Sequence, residues 1–261
     1  MTSGGHTKRH LLPAQRRFGE FFMIKSMLKR MFLNPVLFQT LHERAADFGM
    51  CLVSYKTAQK NYIFELGRQL RRERNVLMTY ADLHQIAMLA KRTHKVPGAI
   101  AEIGAFEGGT AKLISMFKGD KDLYLFDTFE GLPSPTKEDN MFEEGQYVSS
   151  EDRVRAYLQE YPNVHIHKGM FPVDTGHHIE DKTFSFVHLD VDLYKSTLDS
   201  LAFFYPRMHA GGVIISHDYP VSEGVVRAFD EFFVDKPEPI LELPSNQCVV
   251  VKIGDGEKVA S

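Results

Sequence analysis

Short apolar runs that end in polar or glycine residues alternate with helical segments from Ala99 onward, and this alternation most constrains the fold. The runs are AIAEIG, LYLFD, VHIHKG, FSFVHLDVD, GGVIISHDY, PILELPS and QCVVVKI, with helical patterns over 110–117, 151–161, 196–208 and 225–233. Strand and helix at this spacing predict right-handed crossovers and an α/β domain with a mostly parallel, seven-stranded sheet. Pro244, Ser245 and Asn246 join the last two strands, which predicts an antiparallel hairpin at the end of the sheet.

The charge is divided unevenly along the chain. Residues 1–75 hold 14 Lys and Arg against 5 Asp and Glu, or +9, whereas residues 76–261 hold 17 against 29, or -12. The basic third has helical patterns over about 18–33, 36–49 and 62–74. A membrane-surface helix, a targeting peptide or an arm that grips a partner would each fit. We favour helices that pack on the domain or on a second subunit, because the basic residues are scattered over several faces.

Composition excludes several classes of protein. An apolar share of 43% argues against wholesale disorder. Two cysteines, Cys51 and Cys248, are too few for a disulfide scaffold or a Cys-rich metal cluster. No apolar run approaches a membrane span or a secretory signal core, so we expect a cytoplasmic protein without a transmembrane segment. The predicted organisation is a helical extension over 1–76, the α/β domain over 77–253 and a tail over 254–261.

The residues after the first two strands predict a nucleoside site, because ligands of open parallel sheets bind beyond the carboxyl ends of the strands. Gly104 permits a tight turn, and Gly108 opens the next helix, whose N–H groups favour negative groups. Phe106 breaks the G-x-G-x-x-G pattern, which disfavours a dinucleotide and suits a smaller charged tail such as an amino-acid carboxylate. Asp127 ends the second strand, where it can bind both ribose hydroxyls or, alternatively, only form the turn.

Acidic residues and a histidine follow the fourth and fifth strands. Asp190, His217 and Asp218 should converge, since adjacent parallel strands end at the same edge. Two carboxylates and an imidazole can bind a divalent ion, and a nearby carboxylate can accept the proton of a substrate hydroxyl. A purely structural role as helix caps is the alternative. We expect Asp192 to be only structural, because alternate residues of a strand face opposite ways.

Two further features carry weaker predictions. The segment 133–149 is too long for a simple turn, and with Met141, Phe142 and Tyr147 it is predicted to be a mobile loop over the substrate. The remaining clustered histidines are interpreted as solvated or packing residues and not as metal ligands: His165, His167, His177 and His178.

Six blocks in order, AEIGAFEGGTAKLI, LFDTFEGLP, HKGMFPVDT, FVHLDVDLYKST, YPRMHAGGVIISHDY and AFDEFF, resemble the macrocin O-methyltransferase family. Its members are S-adenosylmethionine-dependent sugar O-methyltransferases of antibiotic biosynthesis and their relatives. The resemblance covers roughly residues 77–252. It implies a Rossmann-like class I methyltransferase fold with a helical N-terminal region used in lid and oligomer contacts, so we expect a homo-oligomer, specifically a dimer.

The resemblance also assigns roles to residues. It implies that Glu102 and Gly104 lie near the methionine part of S-adenosylmethionine and that Asp127 takes the ribose. The cofactor site is completed by Phe106, Gly108 and Thr128. By the same resemblance, Asp190 is a magnesium ligand and the base on the substrate hydroxyl, and the pair after the fifth strand completes the metal site.

That pair departs from the family pattern, which usually has Asp-Asp where this chain has His217-Asp218. A neutral imidazole is a poorer ligand for Mg²⁺ than a carboxylate and a better one for softer ions. The substitution leaves open a site for Mn²⁺ or another divalent ion, a weakened Mg²⁺ site, or no metal. In the last case His217 could itself be the general base, given its ordinary near-neutral pKa.

The expected activity is methyl transfer to a hydroxyl of a small molecule, either a sugar or glycosylated metabolite or, equally compatible with the chemistry, a phenol. A nucleoside-binding protein without turnover is the rival hypothesis, and the acids after the fourth and fifth strands argue against it. Nucleic-acid methylation is disfavoured, because the basic third lacks aromatic-basic interleaving and an acidic substrate end repels phosphates.

Overall fold

The computed structural model describes residues 35–47 and 58–254. Contacts divide the chain into two compact units, Met1–Tyr55 and Lys56–Ser261. In the first unit one helix, α1 (Pro35–Ala46), corresponds to the pattern predicted over 36–49. Proline suits its first position, where the missing N–H would have no helical partner. The helix predicted over 18–33 lies outside the described residues.

In the second unit the described residues, 58–254, contain six helices and seven strands. The helices are α2 (Ala58–Glu73), α3 (Tyr80–Arg92), α4 (Gly109–Phe117), α5 (Glu151–Leu158), α6 (Tyr194–Phe204) and α7 (Glu223–Phe233). The strands are β1 (Ala99–Ile103), β2 (Leu123–Asp127), β3 (Val164–Lys168), β4 (Phe184–Leu189), β5 (Met208–His217), β6 (Leu241–Glu242) and β7 (Gln247–Val251). Three short 3-10 turns lie at 93–95, 176–179 and 205–207.

The strands form one sheet in the order β3-β2-β1-β4-β5-β7-β6. Strands β1 to β5 pair in parallel, and β7 is antiparallel to both β5 and β6. This arrangement confirms the predicted Rossmann-like sheet and its terminal hairpin. The chain passes from β1 to β2 and β3 on one side and returns to β4 and β5 on the other. The carboxyl ends of β1 and β4 therefore flank the switch point at which such sheets bind ligands.

Each face of the sheet has its own hydrophobic core. Residues of α2, α3, α4 and α5 pack with Ile100, Leu125 and Ile215 on one face. Residues of α6 and α7 pack with Ala101 and Ile103 on the other face. Neighbouring strand residues thus point to opposite cores, as the two-residue period of a strand requires.

Helix α2 belongs to the unit that contains the sheet. Its residues Ile63, Leu66 and Leu70 follow helical spacing and are buried in the core that also includes α3 and α4. The sequence prediction placed this helix in the N-terminal extension that ends at residue 76, whereas the compact unit begins at Lys56. The two boundaries differ because the apolar stripe of α2 is buried against α3 and α4, so that this helix packs with the domain and not with the extension.

The clustered histidines pack as aromatic rings. On β3, His165 stacks on Tyr124 and His167 stacks on Phe126, with ring centroids 4.8 and 5.2 Å apart. The ring of His178 stacks on that of His167, with centroids 4.4 Å apart. Burial lowers the pKa of His167 to about 4. His165, His177 and His178 are exposed and His167 is partly buried, in agreement with the interpretation of the four as solvated or packing histidines.

Candidate active site

A cavity of about 430 Å³ lies at the carboxyl ends of the parallel strands β1 to β5, within the size range of small-molecule sites. Its wall comes from the segments that follow these strands, around residues 103–110, 126–133, 169–171, 190–192 and 217–218. Residues 75–78, from the turn between α2 and α3, and Asn246, from the β6–β7 hairpin, also line it. The site is therefore assembled from chain segments that lie far apart in the sequence.

Gly104 allows β1 and β4 to approach closely at the cavity. Its φ is +87°, and a Cβ there would lie 1.8 Å from the carbonyl oxygen of Asp190. The neighbouring backbone is fully paired: Gly104 N donates to Phe126 O, and Asp190 N donates to Ile103 O, both at 2.9 Å. Glycine is required here for both the backbone conformation and the contact.

Asp127, the last residue of β2, binds the turn that follows β1 and also lines the cavity. One oxygen of its carboxylate accepts a hydrogen bond from Phe106 N at 2.7 Å and the other from Phe129 N at 2.6 Å. Burial raises the pKa of Asp127, and the two backbone N–H groups offset part of that effect. Because each carboxylate oxygen can accept a second bond, the turn contacts leave acceptor capacity for a ligand. The structural and ligand-binding interpretations of this residue are thus compatible.

The other residues predicted to bind the cofactor fall into two groups. Phe106 and Thr128 line the cavity. Phe106 has a φ of +47° and meets the Tyr147 ring edge-to-face at 5.9 Å, while the Thr128 hydroxyl donates to Gly131 O at 2.8 Å. Gly108 is the N-cap of α4 with a φ of +81°, and it is the next two residues, Gly109 and Thr110, that line the cavity.

The structure corrects the expectation for Glu102, which lies behind the cavity wall and not in it. Glu102 is fully buried, beside His188 in the β1–β4 register, and its Oε1 is 2.9 Å from His188 Nδ1. Two residues after Ile100 on the strand, it points toward the helices that cover that face. The pair supports the sheet under the cavity, and Gly104 is the residue of this motif that reaches the cavity itself.

Asp190, His217 and Asp218 converge as predicted, and among the described residues they are the one group of three with metal-ligand spacing. One potential ligand atom of each lies within 4.8 Å of the others. His217 Nδ1 is 3.3 Å from Asp190 Oδ1 and 3.1 Å from Asp218 Oδ1. Burial alone would lower the pKa of His217, but the two carboxylates outweigh it and raise this pKa to about 11. The two neighbouring carboxylates thus favour the protonated form of the imidazole.

Asp192 lies in the cavity wall, although it was expected to be only structural. Strand alternation gives no ground for that expectation, because residues two apart on a strand share a face, and Asp190 and Asp192 are two apart. The strand in any case ends at Leu189, and Asp192 has a φ of +61°. Burial raises the pKa of Asp192 well above its ordinary value, and the hydrogen bond and charge of Asp218 add to the effect.

Sequence reasoning missed the wall formed by Asn75, Val76 and Met78, and with it Asp82 at the start of α3. Thr79 and Asp82 form a capping box, in which each side chain bonds to the backbone N–H of the other. The pattern T-x-x-D is a sequence signal for a helix start, and it would have revealed α3 as a separate helix. That the helix start lies beside the acidic cluster could be learned only from the tertiary structure.

The long loop after β2 covers part of the site. Residues 128–150 contain no helix or strand, and Phe142 and Tyr147 line the cavity while Met141 is exposed. The loop is joined to the domain by the buried Asp139, which accepts a hydrogen bond from Tyr194 N at 2.7 Å. The predicted position of the loop over the cavity is confirmed, and its predicted mobility remains a prediction.

The sheet order, the switch-point cavity and the glycine turn together define the Rossmann-like fold of class I methyltransferases. Solved O-methyltransferases share it. The O-methyltransferase NovP superposes with a TM-score of 0.58 at 23% identity, over 66% of this chain and 79% of that one. The calicheamicin methyltransferase CalS11 also gives 0.58, at 17% identity, over 76% of this chain and 94% of its own.

The chain belongs to the macrocin-O-methyltransferase (TylF) family, whose model matches residues 77–243. Demethyldecarbamoylnovobiocin O-methyltransferase of Streptomyces niveus is 27% identical in an alignment of 156 residues that covers 53% of this chain and 59% of that protein. The 8-demethyl-8-(2,3-dimethoxy-alpha-L-rhamnosyl)-tetracenomycin-C 4'-O-methyltransferase of Streptomyces olivaceus is 28% identical in an alignment of 143 residues that covers 48% of this chain and 54% of that protein. The chain thus matches between half and two thirds of the length of these curated relatives.

In the part of the chain that the structure describes, every helix is too short or too polar to cross a membrane.

Proposed function

We propose that the chain is an S-adenosylmethionine-dependent O-methyltransferase that acts on a hydroxyl of a small molecule, specifically a sugar or glycosylated metabolite. The observation that carries the proposal is the cavity itself, in which the Gly104 and Asp127 turns face the Asp190, His217 and Asp218 cluster. Membership of the macrocin-O-methyltransferase family supports the reaction. The names of the two curated relatives, both O-methyltransferases of Streptomyces, support a glycosylated acceptor.

The β1 and β2 turns would hold the methyl donor. Asp127 has acceptor capacity for ribose hydroxyls, and the backbone at Gly104 and Phe106 lies open to the cavity. The positive end of α4, with Gly109 and Thr110 in the wall, suits a negative group such as an amino-acid carboxylate. A bound sulfonium donor supplies the electrophilic methyl group, and the protein supplies the alignment of the attacking hydroxyl, which accounts for much of the acceleration in such displacements.

Asp190 is our proposed base for the acceptor hydroxyl. Its carboxylate lines the cavity next to His217. The alternative base, His217, is disfavoured, because a pKa of about 11 leaves the imidazole protonated and without a lone pair at neutral pH. In the absence of a metal ion His217 acts as a counter-ion for the acids. Asp192 is a second carboxylate within the same wall, and a comparison of Asp190→Asn with Asp192→Asn distinguishes their roles.

The same three residues fit a divalent cation. Oxygen atoms of Asp190 and Asp218 and Nδ1 of His217 lie close enough to share one ion. This donor set, two oxygens and one imidazole nitrogen, suits Mn²⁺ or a similar ion better than Mg²⁺, which prefers oxygen ligands alone. An ion bound there would lower the pKa of a substrate hydroxyl. Asp190, His217 and Asp218 would hold it, with the proton on His217 Nδ1 released.

The acceptor would bind under the long loop. Phe142 and Tyr147 present aromatic rings to the cavity, and aromatic faces pack well on the apolar faces of sugars or on phenols. A phenolic acceptor is the second candidate, favoured by the same two rings. The proposal includes self-association into a dimer through the helical N-terminal region, which sedimentation of the full chain would report as twice the mass of one chain.

The experiment is calorimetry with S-adenosylmethionine, followed by a donor-consumption assay across sugar, glycoside and phenol acceptors. We expect donor binding and turnover with a glycosylated acceptor, which Asp127→Ala should abolish through loss of binding. Binding without turnover on any acceptor would support the rival nucleoside-binding protein, and the absence of binding would overturn the proposal.

A further inference from the structure

We propose that Asp82 is a positioning residue for His217, which it contacts from the side opposite to the acidic cluster. The inference rests on the proposed function, because it assigns a residue to the mechanism of that site. It goes further in naming a carboxylate that belongs to none of the strand ends. Asp82 lies in the first turn of α3, more than one hundred residues before His217 in the sequence.

The two nitrogens of the His217 ring face different carboxylates. Nδ1 faces Asp190 and Asp218, and Nε2 lies 3.9 Å from Asp82 Oδ2, which is ion-pair distance but longer than a hydrogen bond. The ring is 12% exposed and the Asp82 side chain is fully buried. A rotation of the ring by half a turn would direct carbon atoms at both partners. The arrangement therefore specifies one orientation of the imidazole.

A capping role does not account for the whole Asp82 carboxylate. Its Oδ2 accepts hydrogen bonds from Thr79 N at 2.8 Å and from Thr79 Oγ1 at 2.5 Å. Its Oδ1 is buried and has no hydrogen-bond partner among the described residues. A buried carboxylate that lacks a partner is costly unless a positive or N–H group lies opposite. The Nε2 side of His217 is such a group for the carboxylate as a whole, and it lies 3.9 Å from the other oxygen, Oδ2.

The contact determines which nitrogen reaches the cavity. With its N–H on Nε2 directed at Asp82, His217 presents Nδ1 to Asp190 and Asp218, and so to any cation held between them. A partner on one ring nitrogen commonly fixes the function of the other in this way. Asp82 also links this ring to the cavity wall, because Thr79, its capping partner, directly follows residues 75–78.

The test compares Asp82→Asn and Asp82→Ala with the control Thr79→Ala, which weakens the same helix cap but leaves the carboxylate in place. In crystal structures of Asp82→Ala we expect the His217 ring to leave its position between the carboxylates, and in Thr79→Ala to keep it. We expect both Asp82 variants to lower kcat about 10- to 100-fold, the usual effect of losing a residue that orients a ligand, with KM for the donor unchanged. Mn²⁺ binding, followed by electron paramagnetic resonance, should weaken in the same two variants.

An unmoved ring in Asp82→Ala, together with kcat equal to that of Thr79→Ala, would show that Asp82 is only a helix cap. Asp82→Asn retains the side-chain volume and an acceptor for Thr79, so it provides the kinetic comparison if Asp82→Ala folds poorly. If the wild-type protein transfers no methyl group to any acceptor, the proposed function fails, whereas the ring orientation in the crystal structures still decides the role of Asp82.

Discussion

The carbonyl oxygen of Asp190 lies where a side chain of residue 104 would begin: a Cβ added to Gly104 would be 1.8 Å from it. The backbone of the turn proposed to hold the donor thus contacts the backbone of Asp190, the residue proposed as base. The contact lies where β1 and β4 end. Any displacement of one of these two strand ends displaces the other. The contact explains how the two halves of the site are kept in register.

Gly104→Ala should therefore abolish donor binding and lower the melting temperature markedly, because the ends of β1 and β4 must separate to make room for the alanine side chain. The matched control is Gly119→Ala. Gly119 also has a positive φ, +63°, but a Cβ there has no atom within 4 Å. We expect the free energy of unfolding of the control to fall only by the conformational cost of a left-handed residue, about 1–2 kcal/mol. The control should bind the donor normally. Calorimetry of both variants with the donor checks this, and equal effects of the two substitutions would contradict it.

Asp190→Asn should retain donor binding and lose turnover, by about 10²- to 10⁴-fold, as expected when a general base is removed. Asp192→Asn is measured beside it, since both side chains line the cavity. The control is Asp199→Asn, which breaks only a surface pair with Lys195. Single-turnover rates and donor affinities distinguish the outcomes. Full activity of Asp190→Asn with loss of activity in Asp192→Asn would transfer the role of base to Asp192.

Chelation should lower the activity, and Mn²⁺ should restore it more effectively than Mg²⁺, because one of the three donors is an imidazole. His217→Asp, which installs the Asp-Asp pair usual in the family, should reverse this preference in favour of Mg²⁺. The measurement is the initial rate after dialysis against chelator and addition of each ion. Activity that chelator leaves unchanged in both proteins would indicate that the acidic cluster works without a divalent ion.

The Glu73 carboxylate at the end of α2 should make stability depend on acid pH. Burial alone would raise the pKa of Glu73, but hydrogen bonds from Lys112, Tyr157 and Gln69 outweigh it and lower the pKa to about 2 from the usual 4.5. A lowered folded-state pKa contributes stability that is present above 4.5 and is lost as pH falls toward 2.

Glu73→Gln should therefore destabilise the protein at pH 7, on the order of 1 kcal/mol once solvent screening is allowed for. The difference from wild type should shrink progressively below about pH 4.5. Urea unfolding at several pH values measures it. The exposed Glu160 provides the control substitution, Glu160→Gln, which should change neither the stability nor its pH dependence. If Glu73→Gln lost as much stability in acid as at pH 7, the lowered pKa of Glu73 would not be the cause of the loss.

Strand ends were predictable because their signals are local. The sheet, its terminal hairpin and the convergence of Asp190, His217 and Asp218 follow from apolar runs and from the rule that parallel strands end at one edge. The substitution of His217 for an acid was visible in the sequence as well. Its consequence was not visible: two carboxylates within 3.3 Å raise the pKa of His217, and only the folded chain brings them together.

The errors arose where a local rule was applied to residues that it does not separate. Strand alternation was used to set Asp192 apart from Asp190, but residues two apart share a face, and β4 had in any case ended at Leu189. The same period explains why Glu102 turns away from the cavity, whereas the motif alone placed it there. Asp82 was missed because a helix start carries no signal about which distant strand it meets.

The cavity wall joins Asn75 and Asn246, near opposite ends of the second unit. A ligand that fills it bridges the α2–α3 turn, the ends of the five parallel strands and the β6–β7 hairpin at once. Because a bound ligand contacts all of these segments, its binding free energy is lost when any of them separates. A ligand therefore raises the unfolding temperature of the whole unit and slows its proteolysis. A thermal-shift screen of hydroxylated metabolites, run with and without the donor, can therefore find the acceptor without any assay of the reaction.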